Sequence, residues 1–194
     1  VREDRSRMET SFAPAERLDG HRVESQRAAF RSEFPFSEVF AGLDSTVLVL
    51  NRQRQILECF PPESGLLRNG LLASLGLRPG EAVGCVNAPT APGGCGTTPA
   101  CRYCGAVQAI VESLEEQLPV KKPCSLRIGG DERESAGEFL ATAIPFILAG
   151  ETYVLLFFED RSHAQRRSVM ERLFFHDVLN TAAGLKMNIE LLAK

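Results

Sequence analysis

The chain has no tryptophan, only two tyrosines, and three histidines among its 194 residues. It lacks any run approaching the ~20 consecutive apolar residues that span a bilayer, so no membrane span is expected. It also lacks an excess of positive charge. Its 22 Lys and Arg stand against 25 Asp and Glu, a net charge of -3. Nucleic-acid affinity rests on a basic surface, so that class of partner is excluded. The first residues, VREDRSRMETS, are charged and contain no apolar core, so no secretory signal is expected and the cytoplasm is the expected compartment. There is no internal repeat, no long low-complexity tract and no glycine-rich phosphate loop.

What is present has the composition of a soluble globular protein, 44% apolar and 24% charged, with length for one ordinary domain plus helical arms. Residues 8–42 read as interrupted helix: Leu18, Val23, Ala28, Ala29 and Phe30 lie among many charges, and Pro14 suits a first helical turn. STVLVLN and QILECF then read as two strands joined by the polar turn RQR. GLLRNGLLASLGLRPGE is broken by glycines into loops and brief helices. Residues 84–104 read as an irregular loop. GAVQAIVESLEEQ places Val107, Ile110, Val111 and Leu114 at helical spacing. Three strands follow, PCSLRIGG, EFLATAIPFIL and TYVLLFFED, the last two forming a hairpin around Ala149-Gly150-Glu151. The expected fold is α+β, an antiparallel sheet with flanking helices.

After Asp160 the texture changes. Val169, Leu173, Val178 or Leu179, Ala182, Leu185, Ile189 and Leu192 recur every three to four residues, with no proline and a single glycine. That predicts a long amphipathic C-terminal helix whose stripe needs a partner, hence a homodimer through it.

In a reducing compartment, clustered cysteines more often bind metal or do redox chemistry than form structural disulfides. Cys85, Cys95, Cys101 and Cys104 fall within 20 residues as C-x9-C-x5-C-x2-C. Four thiolates from one loop suit a tetrahedral metal site, and Cys101-Arg102-Tyr103-Cys104-Gly105 resembles a metal knuckle. Zinc, which would fix the loop outright, is the favoured occupant. An iron–sulfur cluster, which would make the domain an oxygen or redox sensor, is the alternative, and free thiols or a switching disulfide form a third reading. Cys59 and Cys124, in strands, read as small buried residues. His21 and His163 are not counted as ligands.

Two strands, small helices, a longer helix and three strands make the element order of a PAS domain. Phe158-Glu159-Asp160-Arg161-Ser162 resembles the closing Asp-x-Ser/Thr motif of that family, with Arg161 where an aliphatic residue is usual. Phe174-Phe175-His176-Asp177-Val178-Leu179-Asn180-Thr181 resembles the H-box of sensor histidine kinases, with Ala182 where proline is usual. This second resemblance implies that His176 accepts phosphate from ATP bound to a separate domain, absent from this chain. Asp177 would orient and help deprotonate the ring, and Asn180 would lie one turn along on the same helix face. The implied organisation is an N-terminal helical arm over 1–41, a PAS-like sensor domain over 42–160 with its four-cysteine loop at 84–105, and over 161–194 a signalling helix leading into a phosphotransfer and dimerisation domain. A response regulator is the implied partner of the full-length kinase, and a PAS pocket could hold a small ligand. Two other functions fit parts of the pattern: a metal-binding interaction module with a helical dimerisation tail and no phosphotransfer, and a thiol redox enzyme using Cys101 and Cys104.

Overall fold

In the computed structural model the described residues are 9–33, 40, 45–61, 65–129 and 134–161. Five strands form one antiparallel sheet: β1 (Thr46–Asn51), β2 (Ile56–Phe60), β3 (Val120–Gly129), β4 (Glu134–Leu148) and β5 (Glu151–Asp160), in the order β2-β1-β5-β4-β3. The helices are α1 (Gly20–Glu33), the one-turn pieces α2 (Gly70–Ser74) and α3 (Pro79–Ala82), and α4 (Gly105–Glu116).

β1 is apolar at consecutive positions because it is an inner strand covered on both faces. Side chains alternate along a strand, so Val47 and Val49 face one way and Leu48 and Leu50 the other. The first pair packs with Val23, Phe30, Leu57, Phe60 and Tyr153. The second packs with Ile56, Ala109, Ile110, Val154, Leu156 and Phe158. β5 divides likewise, with Tyr153 on the first face and Val154, Leu156 and Phe158 on the second. Each large side chain removed from water in these layers contributes about 1.5–3 kcal/mol. Pro123 is tolerated within β3 because β3 is an edge strand, where one row of amides has no ladder partner.

α1 begins at Gly20, later than a Pro14 start would give, and Asp19 caps it by accepting the Arg22 amide at 3.0 Å. It spends Val23 and Phe30 on the sheet and carries Arg27 and Arg31 to within 3.5 and 3.6 Å of the buried Glu58 carboxylate on β2. Residues 14–19 are non-helical because their backbone serves other partners: the carbonyls of Pro14 and Glu16 accept buried guanidinium groups. Just before them, Ser11 and Ala13 donate to the carbonyls of Thr97 and Gly96 in the cysteine loop. The β4–β5 hairpin turns at Ala149 and Gly150, both with positive φ (49° and 79°).

The chain divides into two compact units, Val1–Asp160 and Arg161–Lys194. The expected long C-terminal helix, with its dimer seam and His176, Asp177 and Asn180, lies outside the described residues. Among the described residues no helix is long and apolar enough to cross a membrane.

Candidate metal centre

The cysteine loop is held by an arginine that no local sequence pattern singles out. Arg78 precedes α3, whose first turn is set by Pro79 and by the Glu81 carboxylate accepting the Arg78 amide at 3.0 Å. Its side chain is fully buried. All five guanidinium N–H groups donate to backbone carbonyls: Nε to Gln53, one terminal nitrogen to Gly93 and Cys95, the other to Pro14 and Glu16, at 2.7–3.2 Å. One residue thereby ties together the N-terminal segment, the β1–β2 turn and the cysteine loop.

The β1–β2 turn supplies a second buried cation. Asn51 accepts the Gln55 amide through its side chain at 2.8 Å, and Arg54 is left in the left-handed region with φ 67°. Arg54 is only 4% exposed. One terminal nitrogen donates to the Pro14 carbonyl at 2.6 Å, while its buried Nε–H has no hydrogen-bond partner. A third cation, Arg17, forms a bidentate pair with Glu81, whose carboxylate also accepts the Cys95 amide at 3.0 Å.

The structure brings Cys85, Cys95, Cys101 and Cys104 to the wall of one cavity of about 190 Å³, together with Arg54. The Gly96 amide donates to the Cys101 sulfur at 3.2 Å. The neighbouring amides of Asn87 and Ala88 act on Cys85, that of Gly80 on Cys95, and those of Ala106 and Val107 on Cys104, each in the direction that favours the thiolate. The Thr98 hydroxyl also lies 3.2 Å from the Cys101 sulfur. Gly96 has φ 92°, a conformation that turns its amide inward and that side chains rarely adopt. Amide donation to sulfur favours the thiolate, the form that binds metal.

Charge balance points the same way. Arg17, Arg54 and Arg78 against Glu81 leave two positive charges in excess, all four groups being largely buried. Burial, and then the neighbouring Arg54 and Arg17, push Arg78 down to about 9. Burial pushes Cys95 up to about 12, and Cys85 also upward. With neutral thiols the excess positive charge is uncompensated, and burying unpaired charge is costly. Four thiolates around a dipositive centre would carry two negative charges and balance it.

The two strand cysteines differ from each other. Cys59 is a buried thiol pushed up to about 12 by desolvation and then by Glu58, and it donates to the Pro61 carbonyl. Cys124 lies 3.9 Å from the Cys104 sulfur. The Cys124 thiol lowers Cys104 against the opposing effect of burial, and Cys124 itself is raised. This contact exists because Gly105 opens α4 directly against β3, where a Cβ would collide with the Pro123 carbonyl oxygen. Among the described residues no three His, Cys, Asp or Glu side chains are grouped closely enough to hold one ion.

No protein-family model matches the chain, and no curated protein matches it. Among solved structures, the chain is similar to the PAS domain of an HTR-like protein from Haloarcula marismortui. The identity is 16% and the TM-score 0.40, over 72% of this chain and 98% of that one. By its own topology, a five-stranded antiparallel sheet with flanking helices, the unit fits a PAS-like α+β fold.

Proposed function

We propose that this chain is the sensory part of a two-component histidine kinase, in which a PAS-like domain carries a metal centre on Cys85, Cys95, Cys101 and Cys104 and His176 accepts phosphate. The observation that carries the metal reading is the convergence of four cysteines on one cavity, with the Gly96 amide donated to Cys101, beside an excess of buried positive charge. The phosphotransfer reading rests on the resemblance of residues 174–181 to an H-box. In the full-length kinase, a change at the centre would alter the relative stability of two arrangements of the domain, and the helix after Asp160 would carry that change to His176.

Two measurements test the proposal. Metal analysis of the chain purified without oxygen should find a bound centre that Cys101→Ser releases. Incubation with ATP and a kinase ATP-binding domain should label the protein, and His176→Gln should abolish the label. A metal-loaded chain that no kinase domain labels would leave the interaction-module reading and end the kinase one.

A further inference from the structure

Resting on the metal-centre reading above, we infer that the four-cysteine cavity takes an iron–sulfur cluster rather than a single zinc ion, and that the Nε–H of Arg54 donates to it.

A zinc ion with four thiolates at about 2.3 Å draws the sulfurs to about 3.8 Å from one another, which leaves no space between them. Here the four cysteines instead line a shared cavity of about 190 Å³. No three metal-binding side chains among the described residues stand close enough for one ion. The cavity opens to the surface beside Tyr103 and Arg127, and its volume has room for a polyatomic occupant rather than a single ion. The remaining wall is mostly apolar, with Val83, Val107, Ile110, Leu126 and Phe158, and carries Asn87, Ser125 and Arg127 as polar members. An occupant with its own sulfide ions fills the space and joins cysteines too far apart to share one metal.

Arg54 is the independent observation. It is buried, held in a left-handed backbone conformation, lines the same cavity, and keeps an unpartnered Nε–H. Its charge interacts with Cys95 and Cys101, the two sulfurs on its side of the loop. Cluster sulfur supplies the acceptor that this N–H lacks. As the cluster binds, each sulfur that enters as a thiol releases its proton to solvent and forms one bond to iron. Hydrogen bonds and positive charge at cluster sulfurs favour the reduced, more negative form, so Arg54 raises the reduction potential.

The test uses the full chain, purified without oxygen or reconstituted anaerobically with ferric iron, sulfide and excess thiol reductant. Iron and acid-labile sulfide should be found in equal amounts, with broad visible absorption that dithionite bleaches. Arg54→Met should keep the cluster but lower its midpoint potential, and Arg54→Lys, which retains a cation, should fall between that variant and the parent. Stoichiometric zinc without iron would overturn the cluster and leave the metal-centre reading standing. A chain that binds no metal would overturn both. A loaded Arg54→Met or Arg54→Lys protein with an unchanged midpoint would overturn the role of Arg54.

Discussion

Arg78→Met tests whether the cysteine loop is held by the guanidinium as the structure implies. The substitution keeps an unbranched side chain of similar length and removes five donors at once. Their carbonyl partners are those of Pro14, Glu16, Gln53, Gly93 and Cys95. Hydrogen bonds to charged groups contribute about 1.5–3 kcal/mol each, so a plain sum would reach the whole stability of an ordinary domain. Two effects reduce it. The Pro14 carbonyl keeps its 2.6 Å bond from Arg54. The desolvation that pushes Arg78 down to about 9 also disappears with the charge. The expected net loss is about 3–5 kcal/mol, the range for breaking a buried charged network. For a chain of this length that is a fall of roughly 6–20 °C in Tm. Arg78→Lys keeps the charge but has three donors without the planar fork, and should lose roughly half as much. Urea and thermal unfolding of chelator-treated protein would measure both, free of any contribution from metal release. A loss below about 0.5 kcal/mol for Arg78→Met would refute the reasoning, since that is the scale of an ordinary surface substitution.

Gly105→Ala should destabilise by about 2–3 kcal/mol in the same assay, because the added methyl meets a backbone carbonyl of β3 that cannot move aside. Ala149→Asn should stabilise by about 0.5–1 kcal/mol, since Asn tolerates the φ of 49° at this hairpin turn better than Ala does. Cys59→Ala should leave metal content unchanged while lowering thermal stability, because its sulfur packs between sheet residues and donates to the Pro61 carbonyl. Loss of metal from that variant would move Cys59 into the site.

The sequence alone determined the strands, the longer helix and the four-cysteine loop, because each is written in local pattern. STVLVLN is apolar without interruption and lies in an inner strand, while GAVQAIVESLEEQ has helical spacing and forms α4. Glycines and prolines mark residues 84–104 as irregular. The side on which the N-terminal segment packs was not legible, because the few apolar residues of α1, scattered among charges, leave its partner open. Pro14 suggested a helix start, but tertiary hydrogen bonds to its carbonyl hold that stretch non-helical. Arg17, Arg54 and the Arg78–Glu81 pair were invisible as a site: they come from three separate stretches of the chain, and charged residues in polar turns are ordinarily solvated. Cys124 was read as a small buried residue, and only the close approach of α4 to β3 at Gly105 sets it beside Cys104. Local periodicity encodes which residues form each element. Which buried charges meet across loops depends on how those elements pack, and only the tertiary structure decides that.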